Sequence, residues 1–257
     1  MEHTDPVTVT TTRIGQRGRI ILPAQVQAAT HIRQGVKVAL RTSPDGTITI
    51  EPLWTLRTRL RATYGPLLTG HAPAGPIVLH IGGRDLEPED LPDPAGLPRL
   101  TGPGMTTLCP VLGQDAHDPR AFQRLYGEGQ PVVLTARAVL SWLTTPDDHR
   151  TDSLLACAVL PETAVTDLVT TLAQAGIHDR LDALLADLGA LGVRVPGPAK
   201  HRATLAHDTA VAVGLTKTAA KDGWTLTLAD ALCAAAALRL EAWLAAADLL
   251  TTHTPAK

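Results

Sequence analysis

Aromatic side chains are scarce in this chain: 3% of its 257 residues, with Phe122 the single phenylalanine. A core must therefore be assembled from Ala, Leu and Val. Hydrophobic residues make up 44% and charged residues 19%, which excludes wholesale disorder. Cysteine is equally sparse. Cys109, Cys157 and Cys233 are an odd, scattered set with no CxxC spacing. That excludes a disulfide framework and a thiolate zinc site, and leaves thiols in a reducing compartment. No run approaches the ~18 apolar residues of a membrane span. The opening residues carry Glu2 and Asp5 and no apolar stretch, so no signal peptide is expected and the chain reads as soluble and cytoplasmic. Walker, GxSxG and HExxH patterns are missing, and the histidines show no HxxxH-type pairing.

One local absence is more telling. Residues 7–43 contain no Asp or Glu, yet hold Arg13, Arg17, Arg19, Arg33, Lys37 and Arg41. The whole molecule has a formal charge of −2, so this basic run is a local feature and not a general polycation. Thr and Val over 7–14 favour an extended chain. Gly15 and Gly18 bracket a turn, and 19–22 reads as a short strand stopped by Pro23. A short helix over 24–29 has Pro23 as its first residue. Two further strands, 36–41 and 47–50, flank the turn Ser43, Pro44, Asp45, Gly46.

The Gly18-Arg19 pair, the run Ile20-Ile21-Leu22-Pro23, the short helix, then Ile32 and Gly35 before a closing hairpin resemble the SpoVT/AbrB (MazE-type) DNA-binding domain. The resemblance covers residues 7–52 and implies an interleaved, swapped-hairpin homodimer that binds double-stranded DNA. Size argues the same way, since about 50 residues bury too little surface to stand alone. Arg13, Arg17, Arg19, Arg33 and Lys37 are the expected DNA contacts, because guanidinium forks suit phosphates and guanine edges.

Residues 65–104 hold eight Gly and eight Pro beside an acidic knot of Asp85, Glu87, Glu89, Asp90 and Asp93. Such breaker density predicts a linker, with 76–81 as a lone strand. Beyond it, strand and helix patterns alternate: a strand leading into a helix over 131–143, helices over 163–175, 178–190 and 201–213, a strand over 192–196, a helix over 228–240 and a last strand over 242–245. Alternation of this kind predicts an α/β domain with a mainly parallel sheet. The expected division is a head over 1–62, a Gly/Pro-rich acidic linker over 63–117 and an α/β body over 118–257.

Three pieces of the body in order, PVVLTARAVLSWL, TAVTDLVTTLAQAG and TLTLADALCAAAALRLEAWLAAADLL, resemble the PIN domain of VapC-type toxin ribonucleases. The resemblance implies carboxylates at the C-terminal ends of parallel strands, holding Mg²⁺ or Mn²⁺ to activate water. Its acids fall on Asp167, Asp230 and Asp248, while Thr135 stands where the first Asp belongs. A hydroxyl is a poor substitute ligand, so the expected metal site is degenerate, with no cofactor or a weakly held Mg²⁺ or Mn²⁺. The leading function is a DNA-binding transcriptional regulator or antitoxin-like protein carrying an inactive PIN-like body, with RNA or a second protein as further partner of that body. Two alternatives stand beside it: a metal-dependent ribonuclease toxin fused to its own regulatory head, and a non-enzymatic interaction protein.

Overall fold

The computed structural model describes residues 12, 16–73, 77–83, 100–101, 107–110, 131–145, 155–195, 201–221, 223–247 and 251–252. The chain divides between Leu56 and Arg57 into two compact units.

The first unit holds one short helix, α1 (Ala24–Thr30), and an antiparallel hairpin of β1 (Val38–Thr42) and β2 (Ile48–Pro52), with Val38 opposite Pro52 and Thr42 opposite Ile48. The turn falls where Pro, Asp and Gly predict it. Ser43 and Thr47 close it through a 2.9 Å N–H···O bond, and the Asp45 carboxylate accepts the Thr47 N–H at 2.9 Å. Gly46 takes φ +83°, a conformation only glycine adopts without steric cost. Pro23 sits one place before the helix instead of inside it, and its carbonyl accepts the Gln27 N–H at 3.0 Å. The strand expected over 19–22 is reduced to a single bridge at Ile20. Of the strand expected over 7–14, all but Thr12 lies outside the described residues.

Helix α2 (Leu53–Leu68) starts directly after β2, and its residues from Arg57 onward belong to the second unit. That unit is built on a six-stranded sheet: β3 (Ile77–Gly83), β4 (Leu100–Thr101), β5 (Thr107–Pro110), β6 (Val132–Leu134), β7 (Ala158–Val159) and β9 (Trp243–Ala247), in the order β4-β5-β3-β9-β6-β7. A separate two-stranded ladder joins β8 (Trp224–Thr225) to β10 (Thr251–Thr252). β6 runs parallel to both β7 and β9, and Arg194 adds a parallel bridge to Val159. β3 pairs antiparallel with β9 and β5, and β4 antiparallel with β5.

Within the expected body over 118–257 the strands β9-β6-β7 are parallel, and the addition of β3, β4 and β5 makes the whole sheet mixed. A parallel return needs a long crossover, usually helical, and the Pro- and Gly-dense sequence between β3 and β5 is ill suited to one. Residues 63–117 are also more than a linker: they supply the end of α2 and strands β3, β4 and β5. The breakers bound short apolar runs such as Ile77, Val78 and Leu79 without dissolving them.

Helix α3 (Ala136–Thr144) follows β6, α4 (Glu162–Gln174) follows β7, α5 (Leu181–Ala190) continues from a short 3-10 turn, and α6 (His201–Lys221) leads through β8 to α7 (Leu228–Arg239), which precedes β9. The helix expected over 201–213 runs eight residues further. Gly214 costs about 1 kcal/mol of helix propensity, but Ala212, Leu215 and Ala219 continue the buried face. The core is as aromatic-poor as the composition requires. Cys233 and Ala234–Ala237 of α7 are all buried, and their small size lets α4, α6 and the sheet approach closely. Tyr64, Trp142 and Trp243 are the buried aromatics of the core among the described residues, and the Arg61 guanidinium lies 4.9 Å from the centre of the Trp142 ring.

Gly65 marks a second close approach. A Cβ there would lie 2.9 Å from the Leu143 carbonyl oxygen, a backbone atom that cannot swing away. Gly65→Ala is therefore expected to destabilise the second unit by about 1–3 kcal/mol, despite alanine's better helix propensity. Urea unfolding checks it, and an unchanged or raised midpoint would refute it.

Candidate functional site

In the first unit Arg17, Arg19, Arg33 and Lys37 ride on connections, and Arg41 lies in β1. Residues Gln16–Gly18 form a 3-10 turn in which Arg17 takes a left-handed conformation, φ +64° and ψ +26°. Such a backbone disfavours any side chain but glycine. Arg17 and Arg19 are both exposed, two residues apart on this turn. Arg33 and Lys37, also exposed, lie on the connection between α1 and β1. Arg13 lies outside the described residues.

The second unit gathers a different chemistry at the start of three helices. Thr135 ends β6 and caps α3. Its hydroxyl oxygen accepts the Ala138 N–H at 3.1 Å and donates to the Ala245 carbonyl at 3.3 Å, while its own N–H donates to that carbonyl at 3.0 Å. The residue is fully buried. Thr227 caps α7 in the same manner, accepting the Asp230 N–H at 3.1 Å and donating to the Asp230 carboxylate at 2.8 Å. On α4, the Thr163 hydroxyl lies 3.7 Å from the Cys233 sulfur on α7. Asp167 is four residues from Thr163 and Asp230 three from Cys233, so each shares a helix face with a member of that contact.

The electrostatics agree with this placement. Burial raises the Asp230 carboxyl above its ordinary 3.8; the Thr227 hydrogen bond and the Arg137 charge oppose that rise, and Asp167 adds to it. Burial also raises Asp167, again opposed by Arg137. The Cys233 thiol is pushed up to about 12, chiefly by burial, with Asp230 and Asp167 adding to the rise, so it stays a neutral S–H and is no nucleophile. Asp167 and Asp230 are thus brought into one field. Asp248 lies outside the described residues.

The Thr135 hydroxyl is committed to two backbone partners, and the Asp230 carboxylate accepts a hydrogen bond from Thr227. Among the described residues no three His, Cys, Asp or Glu side chains come together as a ligand set. Arg137 is the residue that sequence reasoning passed over. Its signal was there: a cation in the first turn of a helix opposes the macrodipole and calls for an acidic partner.

Asp230→Asn isolates the burial penalty. Because its folded-state carboxyl is raised, the folded chain holds that proton more tightly than the unfolded one. The penalty is absent below about 3.8 and grows as pH climbs through the raised value. The amide oxygen can still accept from Thr227. The stability of Asp230→Asn relative to wild type is therefore expected to increase from pH 4 to pH 7 in urea unfolding; parallel curves would refute it.

No protein-family model, curated protein or solved structure matches this chain.

Proposed function

We propose that the protein is a DNA-binding transcriptional regulator, antitoxin-like in type, whose AbrB-like first unit pairs with a second copy of itself and whose PIN-like second unit does not cleave RNA. One observation carries the reading: an acid-free segment of 37 residues displays Arg17, Arg19, Arg33 and Lys37 to solvent on two short connections. Their charge suits phosphate oxygens, and pairing doubles the number of contacts.

The first unit's own packing supports pairing. Among its described residues Ile32, Ala39, Pro52 and Leu56 are buried, whereas Ile21 is 74%, Leu40 67% and Ile48 56% exposed. Apolar surface of that extent on so small a unit favours a partner of the same kind. For the second unit, the support is Thr135, a neutral hydroxyl already bonded to two backbone groups where the PIN resemblance asks for a carboxylate.

The test is an electrophoretic shift of the purified chain on the DNA upstream of its own coding sequence, repeated over a salt series. Tight binding whose logarithm falls steeply and linearly with log salt is expected. Absence of binding at low salt would overturn the reading.

A further inference from the structure

Three non-glycine residues among those described take a positive φ: Arg17 at +64°, His31 at +56° and Glu241 at +49°. Helix ends explain two of them. His31 is the C-cap of α1, and Glu241 stands directly after Leu240, the C-cap of α7. A left-handed residue there is an ordinary way to close a helix and satisfy its last carbonyls. Arg17 closes no α-helix; it lies inside the turn Gln16–Gly18. Glycine, which holds such a backbone without steric cost, stands at positions 15 and 18 and not at 17. Strain of this kind persists where a ligand needs the geometry it imposes.

We propose that Arg17 is the base-reading residue of the first unit, set by its left-handed backbone to place its guanidinium against O6 and N7 of a guanine in the major groove, while Arg19, Arg33 and Lys37 hold phosphates. A cation that only meets a phosphate needs no strained backbone, because a long exposed side chain reaches a phosphate oxygen from many conformations. Arg19, Arg33 and Lys37 are exposed without such strain. Phosphate contacts of that kind position a protein on DNA and carry no sequence information. Two parallel hydrogen bonds to one base edge are more demanding, since the planar fork must be fixed in both place and direction. An arginine held left-handed in a tight turn has its Cα–Cβ direction fixed in advance, and its exposure leaves the fork free to meet a base edge.

The inference rests on the reading of the first unit as DNA-binding, and the two fail by different results. The probe for the full chain is the DNA upstream of its own coding sequence, made in two forms, one with every guanine replaced by 7-deazaguanine. That base keeps its pairing, its O6 and the charge of the duplex, and loses only the N7 acceptor. Wild type is expected to bind the 7-deaza DNA roughly ten-fold or more weakly than the ordinary DNA. Arg17→Gly, which also relaxes the backbone, should bind the two forms alike. Arg19→Ala should keep the penalty in full and lower the salt slope. Should Arg17→Gly lose its circular-dichroism signature, Arg17→Lys, which keeps the charge without the planar fork, is read by the same criterion. A penalty that persists in the Arg17 variant overturns the inference, as does wild-type binding with no penalty. Absence of wild-type binding at low salt would instead overturn the DNA-binding reading.

Discussion

Arg17→Gly combined with Arg19→Ala is expected to weaken DNA binding sharply while leaving the first unit at least as stable as before. Both guanidinium groups are exposed, so their removal takes little from the core. In a paired molecule the double variant deletes four cations. At about 0.9 per phosphate contact, the slope of log affinity against log salt falls by up to about 3.6. Arg17 also holds a left-handed backbone, which costs a non-glycine residue roughly 1–2 kcal/mol. Glycine removes that strain, partly offset by its greater freedom in the unfolded chain. A fall in affinity with an unchanged or higher melting temperature separates contact loss from unfolding. An unchanged salt slope would remove these residues from the interface.

Much of the first unit was legible because its signals are local. Pro23, Gly35 and the Ser43–Gly46 turn punctuate the chain at fixed places, and backbone geometry follows from them. In the second unit the strands β6 and β9 and the helices α3 to α7 were legible from apolar spacing, whereas α2, over Leu53–Leu68, was not read. The pairing of β3 with β9 was not legible. Whether 77–83 pairs with anything depends on a partner more than 150 residues away, and breaker density around it pointed to a connector. The site divides in the same way. Asp167 and Asp230 were legible as acids on helices near strand ends. Arg137, in the first turn of α3, was not weighed.

Thr135→Asp, which places an acid where the PIN resemblance asks for one, is expected to destabilise the second unit and not to restore it. The cap itself would survive, since Asp accepts from an N–H as well as Thr does. The rest of the environment is hostile. The position is fully buried, and the Thr135 hydroxyl donates to the Ala245 carbonyl at 3.3 Å. A carboxylate cannot donate and would face that oxygen as a like partial charge. Burial without a compensating donor makes the loss on the order of 3 kcal/mol at neutral pH. The pH dependence identifies the cause. Below its own pKa the new side chain is a carboxylic acid that can donate to Ala245, so the deficit should shrink in acid and widen as pH rises. Thr135→Val supplies the control: it loses only the cap and its hydrogen bond, costing about 1 kcal/mol, with no such dependence on pH. Urea midpoints for the two variants across pH 4–8 separate the outcomes. A Thr135→Asp protein as stable as wild type at neutral pH without added metal would show that this position accommodates a charge, against the packing described for it.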